Sequence, residues 1–427
     1  MTEKIKPANA QSTQDSQSEQ DVQGVQSSQS TQSTQDSKKQ ASLVAIIVTA
    51  VIAIAGIALW IFQLTDGMVN TNMRNLDSWG LYIIMFMLFV GLSAGGLIIS
   101  SVPRVFGIRG FGAIGKVATW VSICCTVLAV AFVVVDLGGP LRLWELVAYA
   151  NISSPLMWDI IVLTLYLIIS IVYLWATIRT DNGTGSPKVL RILSVFALIA
   201  AVLVHTVTAW IFGLQIAHEF WYTALLGPWF VSSALVSGLA LVLVVAAILR
   251  KSGRLELENK DYSRMVMLLG VFTAVDLYFF GCDLLTSGFP GGTGADIVAL
   301  LTTGVLAPYF WFEVVSGAIT MIIAFSPSLR RPSLIVLASV ISIVAILCKR
   351  IQLLIGGFQI ANIQHATVSS GPALSESGQA FANVAPALVY FPSALEFGIV
   401  IGVLSLGAFL LLLGLRMLPL LPANLQN

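Results

Sequence analysis

The chain has 427 residues, of which 57% are hydrophobic and only 10% charged, and its formal net charge is +1. A soluble domain carries about 25% charged residues, so a chain this poor in charge cannot keep its surface in water. The near-neutral balance leaves no electrostatic footprint for nucleic acid, and none is expected as a partner.

Residues 1–40 are a Gln/Ser/Thr tract with Lys4 and Lys6 at its start and Lys38 and Lys39 at its end. Such a tract buries too little apolar surface to offset its ordering entropy, which predicts a disordered cytoplasmic tail. A cleaved signal would place its apolar region much sooner, so the first apolar run reads as an uncleaved anchor. Ten runs follow, near 42–64, 78–102, 113–135, 156–177, 190–213, 228–249, 264–285, 305–325, 332–355 and 393–415. Each suffices for the about 20 helical residues that cross a hydrocarbon core. The apolar stretch 295–304 is too short to cross and reads as an interfacial segment. The predicted fold is therefore an all-α integral membrane protein, with about ten transmembrane helices filling 41–420 and a short tail at 421–427.

Lysine and arginine set the orientation, because they collect on the cytoplasmic side. With the N-terminus inside, only Arg74, Arg142, Lys349 and Arg350 of the 22 lysines and arginines fall outside. Adding or removing one helix would scramble this bias. Both termini are thus predicted to be cytoplasmic, in a prokaryotic cytoplasmic membrane. Three stretches interrupt helical regularity on the outer side: 136–155, 286–294 and 356–392.

Ionisable residues inside spans are costly and mark pathways or sites. At ~1.5 Å of rise per residue, His205 lies roughly 21 Å past Arg191, in the outer half. Asp136 and Arg142 flank the outer end of the third helix, Asp276 is near mid-membrane, and Asp283 follows two turns later on the same face. Glu313 sits in the outer half of the eighth helix, Lys349 and Arg350 in the outer third of the ninth, and Glu396 opens the tenth. The inner halves carry almost nothing ionisable, which points to a polar cavity near the outer surface. Asp136, Asp283 and Glu396 are equally read as facing headgroups, Lys349 as snorkelling to the interface, and His205 as a hydrogen-bonded packing residue.

Cys124, Cys125, Cys282 and Cys348 lie in apolar runs and form no C-x-x-C pair, so they read as small buried hydrophobes. Gly91 and Gly95 form G-x-x-x-G, a helix-packing pattern. No P-loop or H-E-x-x-H is present, so P-loop phosphate cradles and zinc hydrolases have no support.

Four stretches resemble the NrfD/PsrC family of polysulfide reductase membrane subunits. The first is Phe89-Val90-Gly91-Leu92-Ser93-Ala94-Gly95-Gly96. The second is Asp136-Leu137-Gly138-Gly139-Pro140 with Ser154-Pro155-Leu156-Met157-Trp158-Asp159, similar to the family's D-L-G-R-P and S-P-M-x-W loop. The third runs from His205 and Trp210 through His218, Trp221 and Pro228-Trp229-Phe230 to Ser237-Gly238. The fourth is Phe310-Trp311-Phe312-Glu313 with Arg350-Ile351 before Gly356-Gly357. The resemblance covers about 76–419. Departures are Gly139 in place of the arginine and Ile211 where some ten-helix relatives carry aspartate.

The resemblance implies an eight-helix core over 76–357 with one added helix at each end. It also implies a membrane anchor that exchanges electrons between menaquinol or quinone and an iron–sulfur partner subunit, with proton release or uptake at the outer face. That partner would be a four-cluster ferredoxin-like subunit, wired to a molybdopterin catalytic subunit and docked on the outer face. No metal, haem or covalent cofactor is expected in this chain: only His205, His218 and His365 are available, too few for the four axial ligands of two haems. His205, Asp276, Asp283, Glu313 and Arg350 are the candidate quinone-binding and proton-transfer residues. Asp136, Arg142, Trp158, Asp159 and His218 are the candidates for the site mouth and the docking surface. Two other readings stay open at this point, a secondary transporter and a structural anchor without a working quinone site.

Overall fold

The structure, a computed structural model, describes residues 43–73, 77–107, 112–255, 257–360 and 390–420. The predicted tails at 1–40 and 421–427, Arg74 and His365 lie outside the described residues. The chain divides into two compact units, 1–51 and 52–427. Of the first, residues 43–51 are described, and they form the opening turns of helix α1.

Ten described helices are long and apolar enough to cross a membrane, so this is a multi-pass membrane protein. They are α1 (Leu43–Asn70), α2 (Leu81–Phe106), α3 (Gly112–Asp136), α5 (Pro155–Asp181), α6 (Pro187–Gly213), α7 (Leu226–Lys251), α8 (Asn259–Gly288), α10 (Ala307–Phe325), α11 (Pro332–Gln359) and α12 (Ala394–Met417). Two short helices, α4 (Leu143–Ala148) and α9 (Thr293–Thr302), interrupt the connections at one end of the bundle. Two of the three stretches predicted to be irregular thus contain or border a short helix, and α8 continues to Gly288 before breaking.

Local chemistry sets these boundaries. Pro155, Pro187 and Pro332 each open a helix, where the missing N–H has no intrahelical partner to lose. Gly107 ends α2 in the left-handed region at φ 70°, and Ser393 with Glu396 forms a complete capping box at the start of α12. Hydroxyls inside the spans turn back to carbonyls one turn away, as Thr126 does to Ser122 and Thr177 to Tyr173. That satisfies them where no water is at hand.

The crossing helices from α2 to α11 form two four-helix groups. In one, α2 packs on α3 and α6, α3 on α5, and α5 on α6; in the other, α7 packs on α8 and α11, and α10 on both. Helix α2 joins the groups by packing on α7, and Gly95 and Gly238 meet backbone to backbone at that crossing. Its most apolar window is 94% buried, against 11% for α1, so α2 is the central helix and α1 a peripheral one. Helix α12 packs mainly on α3, and Gly56 of α1 meets Gly402 of α12 closely enough that neither can carry a Cβ without displacement.

Candidate functional site

Three charged side chains meet inside the α7/α8/α10/α11 group. Lys349 of α11 donates to Asp276 of α8, and its Nζ lies 3.1 Å from Oε1 of Glu313 on α10. All three are essentially removed from solvent. The ammonium also stands 4.6 Å from the ring centre of Trp229, whose π face attracts a cation. Ser232 donates to the other Asp276 oxygen at 3.0 Å, and Gln352 donates from one turn beyond Lys349 to Oε2 of Glu313 at 2.9 Å.

Arg350, the next residue along α11, is 1% exposed. It donates to Oγ of Ser233 at 2.5 Å, and its guanidinium lies 3.8 Å from the centre of the Phe230 ring. Two cations and two carboxylates therefore share one buried region. Their opposite charges offset a desolvation cost that none of them could bear alone.

Glu313, Lys349 and Arg350 of this cluster form the floor of a cavity of about 610 Å³, counting its open mouth. Trp229 and Phe230 of α7, Phe280 of α8, and Ile297 and Leu301 of α9 supply apolar walls; Glu313, Lys349, Arg350 and Gln352 supply the polar end. Trp229 and Phe280 stack with ring centres 5.2 Å apart. Three buried polar atoms of lining residues make no hydrogen bond, Nε1 of Trp229, Nε of Arg350 and Oε1 of Gln352, and Oε1 of Glu313 has only its ion pair with Lys349. Buried polar atoms are nearly always satisfied in proteins, and three orphans around one cavity mark it as suited to a polar ligand. Two of the three donate and one accepts. A smaller space of about 250 Å³, lined by Thr273, Asp276, Glu313 and Ser342 among others, meets the same carboxylates from another side.

Of the residues singled out in the sequence, Glu313 and Arg350 come together at the floor, Asp276 stands behind it on Lys349 and lines the smaller space, and Asp283 and Thr223 line the cavity where it is part-exposed. His205 is buried on α6 and makes no well-formed hydrogen bond, and it does not line the cavity.

The remainder are dispersed. Asp136 ends α3 with one buried oxygen unpartnered. Arg142 forms an exposed pair with Glu145 at 2.8 Å. Trp158 donates to the Ile152 carbonyl and meets Trp210 edge to face, while Asp159 accepts from Thr208 at 2.5 Å. His218 packs on Trp221 with ring centres 4.2 Å apart, and its Nδ1 is 3.2 Å from the Gly357 carbonyl. Glu396 is a clasp: it receives the Tyr390 hydroxyl and the backbone N–H groups of Asn72 and Ser393. Burial and that carboxylate push the Tyr390 hydroxyl above its ordinary range, so it remains a donor.

Lys349 does not snorkel. Its ammonium stays buried because two carboxylates on neighbouring helices lie within reach, which no reading of α11 alone reveals. Sequence reasoning does not pick out Gln352, nor Trp229 as a site residue. A glutamine one turn from Lys349 in an apolar run is the available signal for the first.

The family described as polysulphide reductase, NrfD, matches residues 69–362. The chain belongs to the NrfD family. Its match covers both four-helix groups and every floor residue of the cavity. Among relatives, it is 33% identical over 86% of its length to a putative dimethyl sulfoxide reductase membrane subunit of Halobacterium salinarum, of which it covers 88%. It is 29% identical over 54% of its length to a selenate reductase subunit of Mesobacillus selenatarsenatis, covering 61% of that protein. It is 26% identical over 64% of its length to the integral membrane subunit of an Hdr-like menaquinol oxidoreductase of Archaeoglobus fulgidus, covering 68%. This NrfD protein is accordingly a membrane subunit of the oxidoreductase type.

Proposed function

We propose that this NrfD protein binds a membrane quinol in the cavity of the α7/α8/α10/α11 group and exchanges electrons with an iron–sulfur partner subunit. The observation that carries the reading is the set of three orphan polar atoms beside the Glu313 carboxylate at the buried end of the cavity. A quinol presents two hydroxyl donors and a quinone two carbonyl acceptors, so a ligand that alternates between these forms needs both kinds of partner. Oε1 of Glu313 and Oε1 of Gln352 accept from the reduced form; Nε1 of Trp229 and Nε of Arg350 donate to the oxidised form.

Oxidising a quinol releases two protons and two electrons. Glu313 is the nearest base on the floor and takes a proton, with Lys349 compensating its charge before that transfer. Asp283 at the mouth is the second acceptor. Arg350 orients the headgroup. The electrons leave to an iron–sulfur subunit, itself coupled to a molybdopterin catalytic subunit, docked on the end that carries α4 and α9. The name of the archaeal menaquinol relative supports the substrate class, and the names of the dimethyl sulfoxide and selenate reductase relatives support the assembly. The scarcity of lysine and arginine at the α4/α9 end supports placing it outside a cytoplasmic membrane, with both termini inside.

The test is turnover of the assembled complex. Glu313→Gln keeps the shape and removes the base, so quinol-linked turnover falls about 10²-fold or more, the usual worth of a positioned base. Gln352→Leu removes an acceptor and raises KM. Wild-type turnover in both variants, with the complex assembled, excludes the cavity as the quinol site.

A further inference from the structure

Lys349 and Arg350 are consecutive on α11, so their side chains leave the helix about 100° apart. One turn of α7 meets both. Trp229 faces the Lys349 ammonium and Phe230 the Arg350 guanidinium. Ser232 donates to the Asp276 carboxylate that receives Lys349, and Ser233 accepts directly from Arg350. The two cations are nevertheless held differently. Lys349 pairs with two carboxylates, whereas Arg350, equally buried, forms no ion pair with a described carboxylate.

A buried cation without a counter-ion in contact is costly, and other groups must offset its lost hydration. Here they are neutral. The Phe230 ring centre lies 3.8 Å from the guanidinium carbon, and Oγ of Ser233 accepts from Nη2 at 2.5 Å. The Ser233 hydroxyl hydrogen goes back to the Phe230 carbonyl at 2.9 Å, so its oxygen turns only lone pairs toward the guanidinium. A planar group stacked on a ring and pinned at one nitrogen is held in one orientation, and its charge stays unneutralised. Nε, buried with no hydrogen-bond partner, is the donor left over. Phe230 and Arg350 line the cavity, and Ser233 does not.

We infer that Phe230 and Ser233 are positioning residues for Arg350: they fix its guanidinium through neutral contacts, so that its Nε–H and its charge are kept for a carbonyl oxygen of the oxidised ligand. The inference rests on the quinol reading of the cavity. It adds that this turn of α7 sets the relative affinity for the two redox forms. A quinone oxygen only accepts, and it gains most from a fixed cationic donor. A quinol hydroxyl donates to Glu313 or Gln352 instead and gains less from Arg350. Ser233 acts through Arg350 alone.

The experiment uses membranes that hold the whole complex, with menadiol as the electron donor and menadione as the competing oxidised form. Ser233→Ala releases the guanidinium and raises the ratio of Ki for menadione to KM for menadiol about fivefold, the worth of one hydrogen bond. Phe230→Leu keeps an apolar wall but removes the π face, and it raises the same ratio about threefold or more. Ser233→Thr retains the hydroxyl and its bond to the backbone, and it restores the wild-type ratio. A purely structural loss moves both constants together, so an unchanged ratio in Ser233→Ala and Phe230→Leu overturns the inference. Where Ser233→Ala does not assemble, Phe230→Leu decides. Arg350→Lys keeps the charge without the planar fork and shifts the ratio too; a shift there with none in the α7 variants likewise overturns the inference. Failure of the cavity reading is seen separately, as wild-type menadiol oxidation by Glu313→Gln and Gln352→Leu.

Discussion

Lys349→Met removes the ammonium and keeps the length of the side chain, which isolates the charge from the packing. Two carboxylates lose their cation at once, Asp276 through its hydrogen bond and Glu313 through its 3.1 Å contact. Deleting one partner of a buried pair costs about 3–5 kcal/mol, because the remaining charge stays desolvated. The lost attraction to the Trp229 face adds up to about 2 kcal/mol. Against this, Asp276 keeps Ser232 and Glu313 keeps Gln352, which holds the net cost near the lower limit, about 3–4 kcal/mol. At 1.4 kcal/mol per decade, the folding equilibrium falls by about 10²–10³-fold. SDS-driven unfolding of the purified protein measures it. Adding Asp276→Asn removes one of the two uncompensated charges, so the double variant is more stable than Lys349→Met alone, with a coupling of about 2 kcal/mol in the cycle. A Lys349→Met variant as stable as wild type, or strictly additive effects, refutes the claim that these charges hold one another in place.

Two further outcomes follow from the periphery. Gly402→Ile drives a branched side chain into the Gly56 backbone, so α1 separates from α12 and heat stability drops, while KM for quinol stays within about twofold because neither helix lines the cavity. The second concerns Asp77, which is buried in the segment before α2, and burial raises its carboxyl above the ordinary 3.8. A raised folded value means that the folded chain holds the proton more tightly than the unfolded one. Stability from this group is therefore full below the unfolded value and lost as pH rises through the folded value. Asp77→Asn accordingly raises the melting temperature at neutral pH and leaves it unchanged in acid; a variant that is no more stable at neutral pH counts against the burial argument.

The sequence alone determined the ten-helix bundle, because membrane crossing depends on the length and apolarity of each run and on nothing distant. It also determined which residues are out of place in hydrocarbon: Asp276, Glu313 and Arg350 stand out by chemistry in any apolar run. In the structure Pro155, Pro187, Pro332 and the Ser393/Glu396 pair start helices for equally local reasons. Partnership was decided only by the tertiary structure. Lys349 read as a snorkelling residue, since α11 says nothing about the carboxylates on α8 and α10. Glu396 read as a headgroup-facing acid and is instead a clasp whose donors include Asn72, far away in the chain. His205 and Asp159 carry the same warning from the other side: each looks like site chemistry, and each lies away from the cavity that gathers Asp283, Glu313 and Arg350. Hydropathy is a property of a segment, whereas a charge's worth in a low-dielectric interior depends on what stands within about 4 Å of it. Only the packing of α7, α8, α10 and α11 brought those neighbours together.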